Sequence, residues 1–149
     1  MKNAVTLLCF SIAISIFCTV WGLLETFHGP ATVSNAIITL GYIFCWILML
    51  VYGAKGSTRG FKMYFCIFWI ITFGATLVNV YLNATDASIG WFLPFEILLI
   101  GPWYGLEFFG IKGYLAFFRI IAVISLIMTA SGAMLIKPQL GKQSSNPIS

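Results

Sequence analysis

The chain has 149 residues, enough for one compact unit and too few for two independent domains. Apolar residues make up 60% of it and charged residues 8%, where a soluble domain has roughly 45–50% and about 25%. Eight basic and four acidic side chains cannot clothe a water-soluble particle of this size, which excludes a soluble enzyme, a disordered regulator and a secreted disulfide scaffold.

Lipid must therefore solvate the apolar excess, and the predicted class is an all-α integral membrane protein. A crossing helix needs about 20 mainly apolar residues, and strands alone would leave backbone groups unpaired in lipid. Residues 4–24 form the first predicted span. Lys2 precedes it as in a signal peptide, but the apolar run of about 21 residues exceeds the usual ~7–15 and no small-x-small cleavage site follows. No lipoprotein box precedes Cys18, so this segment is expected to remain as a span. Within it Ser11, Ser15, Cys18 and Gly22 recur on one helical face, a small-residue stripe of the kind that packs on a neighbour. Glu25 continues that stripe at the end of the span. His28-Gly29-Pro30 then breaks the chain. His28 is read as a boundary residue that caps the helix or meets water, with pH sensing beside Glu25 as the alternative. A single histidine cannot supply a two-histidine haem or zinc site.

The second predicted span covers residues 36–52 and begins with the polar Asn35, Thr39 and Tyr42. A polar loop from Gly53 to Gly60 follows, without the GxxxxGK[ST] spacing of a phosphate loop. The third span, residues 63–82, carries Thr72, Ala75 or Thr76, and Asn79 along one face. Asn83-Ala84-Thr85 matches a glycosylation sequon, a three-residue pattern that also arises by chance.

Residues 91–109, WFLPFEILLIGPWYGLEFF, are long and apolar enough for a fifth span. They also hold Pro94, Pro102, Glu96, Glu107 and seven aromatic residues, a mixture suited to the headgroup boundary. An interfacial or re-entrant element is the preferred reading. Residues 114–136 form the last span. Arg119 lies about five residues, roughly 7 Å, inside it and leads a stripe of Ala122, Ser125, Thr129 and Ala133. That stripe predicts that Arg119 points into the bundle. The remaining residues, 139–149, are expected to be a short disordered cytoplasmic tail behind a single transmembrane domain, residues 1–138.

Charge placement sets the orientation. Lys2, Lys55, Arg59, Lys62, Lys137 and Lys142 fall on one side of a four-transmembrane-helix bundle, and Glu25, Asp86, Glu96 and Glu107 on the other. The positive-inside rule then puts both termini in the cytoplasm and the protein in the plasma (inner) membrane. Basic residues this scattered make no nucleic-acid patch. The four cysteines include no CxxC pair and none lies in an outer loop, so they read as apolar thiols rather than disulfide or metal ligands.

The candidate site is the outer mouth of the bundle. Glu25, Asn79, Glu96, Glu107 and Arg119 form either a shallow ligand pocket or a structural cluster in which Arg119 pairs with a carboxylate and fixes helix register. No catalytic residue, metal or cofactor is assigned. The sequence favours a non-enzymatic polytopic protein that binds a partner, as a subunit, an accessory factor or an immunity-type protein. An oligomeric transporter or channel for a small or lipophilic solute and a membrane enzyme acting on lipid are the alternatives. The expected partners are the lipid bilayer and either another membrane protein or further copies of the chain.

Overall fold

A computed structural model describes residues 2–26, 30–56, 59–85, 90–111 and 113–136. Every element among them is helical. Four long helices, α1 (Lys2–Thr26), α2 (Val33–Gly56), α3 (Arg59–Ala84) and α5 (Tyr114–Ile136), contain the four segments picked out above and mostly extend past them by two to four residues. At 1.5 Å per residue each reaches about 35–39 Å, longer than a hydrocarbon core of roughly 30 Å. Between α3 and α5 lies the aromatic segment, Gly90–Phe109. It consists of a 3-10 turn (Gly90–Phe92), a two-turn helix α4 (Leu93–Ile100) and a 3-10 helix (Gly101–Phe109). Five helical stretches are thus long and apolar enough to cross a membrane, the aromatic segment among them. Pro94 opens α4 and Pro102 opens the 3-10 helix, both where a missing N–H leaves no bond unmade.

The outward faces of the long helices carry Ile37, Phe44, Ile67, Leu77 and Ile127, all exposed. Their inward faces carry the polar stripes. Ser11, Ser15 and Cys18 of α1, Asn35, Thr39 and Tyr42 of α2, and Thr72, Ala75, Thr76 and Asn79 of α3 are all buried. This inversion of the soluble pattern is what a lipid solvent selects. Two of the inward hydroxyls of α3 are satisfied within their own helix: Thr72 donates to the Phe68 carbonyl and Thr76 to that of Thr72.

Helix pairings fix the directions. The Lys62 ammonium donates to the Leu135 carbonyl at 3.3 Å, and the Cys66 thiol points at the Thr129 carbonyl. As numbers rise along α3 they fall along α5, so the two helices are antiparallel. Ser11 and Tyr64 share a hydrogen bond of 2.9 Å in the first halves of α1 and α3, and Gly22 near the end of α1 shares a cavity with Phe117 and Phe118 at the start of α5, so α1 and α3 run parallel. The end of α3 and the start of α5 therefore lie at the same end of the bundle. Lys55, Arg59 and Lys62 lie at the other.

Between α2 and α3 the spacing is set by aromatic rings rather than by small residues. Trp46 stacks on Phe68 at 4.4 Å and meets Trp69 edge-on at 5.3 Å. Trp103 closes this layer, 5.8 Å from Tyr42 and 6.3 Å from Trp69. All three indoles are fully buried, and their N–H groups have no hydrogen-bond partner among the described residues.

Lys62, which the predicted third span leaves just outside itself among the basic residues of one side, is a buried residue of the first turn of α3 that caps the last turn of α5. A cation there complements the helix dipole, an effect worth about 0.3–1 kcal/mol when exposed and up to ~2 when partly buried. Lys62→Met is expected to lower the thermal stability of the detergent-solubilised protein by about 1 kcal/mol or more, whereas Lys55→Met, on an exposed side chain in the last turn of α2, costs only about 0.3 kcal/mol. Equal effects from both would remove the capping role.

Candidate functional site

The aromatic segment is held in place by three close attachments. The Thr19 hydroxyl donates to the Leu98 carbonyl at 3.1 Å. Gly22 touches the Gly101 backbone so closely that an added Cβ would stand 2.7 Å from the Gly101 carbonyl oxygen. Thr39 does two things with one hydroxyl, donating to the Pro102 carbonyl at 2.8 Å and accepting the Gly105 N–H at 3.0 Å. Gly105 itself lies against the Asn35 carbonyl. Thr19 and Gly22 belong to the last two turns of α1, and Asn35 and Thr39 to the first two of α2. The segment is therefore wedged between α1 and α2 at one end of the bundle, where the start of α5 also lies.

Thr39 is the central element of this attachment. In Thr39→Val, isosteric but without the hydroxyl, a buried carbonyl and a buried N–H each lose a partner, at about 1–3 kcal/mol per orphaned group. Thr39→Val is expected to lower the melting temperature and folded yield strongly, and Thr39→Ser to restore most of both. A Ser variant as unstable as the Val variant would show that the methyl group, not the hydroxyl, matters.

The wedge leaves a cavity of about 400 Å³ beside it. Gly22, Ile97, Ile100 and Gly101 form its inner wall, and Phe117 and Phe118 bring the first turn of α5 across from them. Glu96, Tyr104 and Glu107 supply its polar lining. Glu96 is half-buried and Glu107 exposed. After Glu107 the chain turns sharply into α5 through Gly110 and Gly113, both in the left-handed region at φ 77° and 104°.

The five residues expected to gather at the outer mouth divide differently. Glu96 and Glu107 line the same cavity. Asn79 is buried, as expected of its stripe, but its amide donates to the Ala75 carbonyl within α3 and it does not reach the cavity. Arg119 corrects the expectation outright: it is exposed and absent from the cavity wall. The inward face of α5 runs Phe118, Ile121, Ser125, Met128 and Gly132; it shares Ser125 with the stripe that Arg119 leads, and its other members each precede one of that stripe by one residue, about 100°. The physical reason lies in the partner. Gly132 fits against Cys66 and Phe65, which turns the bulky Phe118, Ile121 and Met128 inward. Arg119 is left on the outward face one turn below the helix start, where a long side chain can reach the headgroups. No ion pair joins it to Glu96 or Glu107 among the described residues. The side chain of Glu25 and all of His28 lie outside the described residues.

Tyr104, Phe117 and Phe118 were missed as lining residues. Their one sequence signal was the glycine pair Gly101 and Gly105 around Pro102-Trp103-Tyr104, a spacing that lets a neighbouring backbone approach. Among the cysteines, Cys18 and Cys66 are buried and Cys9 is exposed on the outward face of α1. No protein-family model, curated protein or solved structure matches the chain.

Proposed function

We propose that four helices, α1, α2, α3 and α5, cross the membrane and that the aromatic segment enters and leaves by one face. The support is the antiparallel pairing of α3 with α5, which starts and finishes the intervening chain at the same end of the bundle. The attachments from Leu98 to Gly105, all within two turns of that end, agree with it. The basic end faces the cytoplasm by the positive-inside rule. A compartment-sensitive reporter fused to the C-terminus then gives a cytoplasmic signal; an external signal contradicts this topology.

On this reading the protein is a non-enzymatic accessory or partner-binding protein of the plasma membrane, and the outer-end cavity is where it receives part of a membrane-borne partner or ligand. The observation that carries the reading is the cavity: its volume of about 400 Å³ falls in the range of roughly 300–1,000 Å³ typical of small-molecule sites. Its lining is mostly apolar with three polar groups converging on it. The test is a photoreactive phenylalanine analogue in place of Phe117, with Ile127, exposed on the outward face of α5, as control. A discrete adduct at position 117 that position 127 does not give supports the reading. The same bulk-lipid adducts at both positions would refute it.

A second reading, a membrane enzyme acting on lipid, draws on the two carboxylates of the same cavity, which could serve as acid and base. Turnover of a defined phospholipid by the purified protein would put it first.

A further inference from the structure

The cavity joins an apolar body to an acidic rim. Leu93, Ile97, Ile100, Ile111, Phe117 and Phe118 offer hydrocarbon and two aromatic rings, while Glu96 and Glu107 are its only ionisable carboxylates among the described residues. None of the described lining residues is basic. Lys112 lies between Ile111 and Gly113 in the chain, outside the described residues. With both carboxyls ionised, even a fully inward ammonium leaves the site a net negative charge, although burial raises the Glu96 carboxyl above its ordinary value and so weakens its share. At the edge of a bilayer such a charge is weakly screened, so its sign governs what can enter. Aromatic rings add a second preference of the same sign, since their faces attract cations.

We infer that the cavity takes an amphiphilic cation, an apolar or aromatic body with one positively charged head, seated with its body against Phe117 and Phe118 and its charge between Glu96 and Glu107. This rests on the reading of the cavity as a recognition site and gives that site its ligand class. An anionic amphiphile of the same shape is excluded by charge, not by size. The same chemistry has two natural sources, a free lipophilic cation and the ammonium headgroup of a bilayer lipid.

Tetraphenylphosphonium and tetraphenylborate test this, being close in size and shape and opposite in charge. Binding of each is measured to the full chain in phosphatidylcholine nanodiscs, with empty nanodiscs subtracted. The expected result is saturable binding of the phosphonium and none of the borate. Glu96→Gln with Glu107→Gln is expected to weaken phosphonium binding at least tenfold at unchanged melting temperature. Replacing part of the phosphatidylcholine, itself an ammonium lipid, with an uncharged glycosyl diacylglycerol that has no ammonium group distinguishes the sources. A rise in phosphonium affinity identifies a lipid headgroup as the competing occupant, and an unchanged affinity a free cation. Equal binding of both ions, or a phosphonium affinity unmoved by the double substitution, overturns the inference. Because the comparison of the two ions uses the unaltered protein, it decides the matter even where a variant fails to fold. The outcomes also separate this inference from the reading beneath it: a discrete adduct at position 117 with no preference for the cation leaves the cavity a recognition site and removes only its ligand class.

Discussion

Gly105→Ala is expected to abolish most of the folded yield, the largest effect of a methyl group added at any glycine whose surroundings are described. The new Cβ would press on the Asn35 carbonyl and stand 2.5 Å from the Thr39 hydroxyl oxygen. Neither neighbour can move cheaply. Asn35 is backbone in the first turn of α2, and the Thr39 hydroxyl is already committed to Pro102 and Gly105. Overpacking alone costs about 1–3 kcal/mol. Pushing the segment away also breaks both Thr39 bonds, at about 1–3 kcal/mol for each buried group left unpaired. A control stands two residues beyond Thr39 on the same helix. Gly41 has nothing within 4 Å of the position its Cβ would take. Gly41→Ala should therefore be neutral or slightly stabilising, since Ala exceeds Gly in a helix by about 0.5–1 kcal/mol. Thermal unfolding of both variants in one detergent, followed by size-exclusion chromatography, reads the contrast. Similar behaviour of the two would show that the segment is not clamped at Gly105.

Trp103→Ala is expected to be nearly as damaging, and Trp103→Phe much less so. Trp103 reaches level with Tyr42, nine residues or about 14 Å from the start of α2, and meets both Tyr42 and Trp69 edge-on. It thereby joins the aromatic segment to the ring layer between α2 and α3. Removing an indole from a packed core costs about 3–5 kcal/mol through lost transfer energy and the cavity left behind. Inside a bilayer the transfer part shrinks, because lipid is as apolar as the core, and packing remains. The lower figure, about 3 kcal/mol, is the one expected here. Phenylalanine keeps the edge-to-face contacts and removes an indole N–H that has no acceptor among the described residues. Its loss should stay near 1 kcal/mol, a figure for the smaller void alone. Equal losses for Ala and Phe would mean that the indole N–H carries the interaction instead.

The long helices were legible because each is specified locally. Twenty apolar residues between polar breaks determine a helix in lipid whatever it packs against. The inward faces of α1, α2 and α3 were legible for a related reason, since Ser15, Thr39 and Thr76 can turn only toward protein without facing hydrocarbon. The face of α5 was not. Its small residues lie in two adjacent rows, and the choice between them depends on Gly132 meeting Phe65 and Cys66, a contact invisible within α5 itself. Lys62 was misplaced for the same reason, its partner carbonyl at Leu135 being 73 residues away. Of the proposed site, Glu96 and Glu107 could be named because a carboxylate in an apolar run is rare. Their meeting on one cavity, and the hold of Thr39 on Pro102 and Gly105, are products of the wedge between α1 and α2.

The path of the aromatic segment is tested most directly by single cysteines at its two ends. In a chain freed of Cys9, Cys18, Cys45 and Cys66, Thr85→Cys and Phe109→Cys are labelled with a membrane-impermeant maleimide in vesicles of known orientation. Both are predicted to react from the same side, opposite to Arg59→Cys. Reaction of Thr85→Cys from one side and Phe109→Cys from the other would contradict the account.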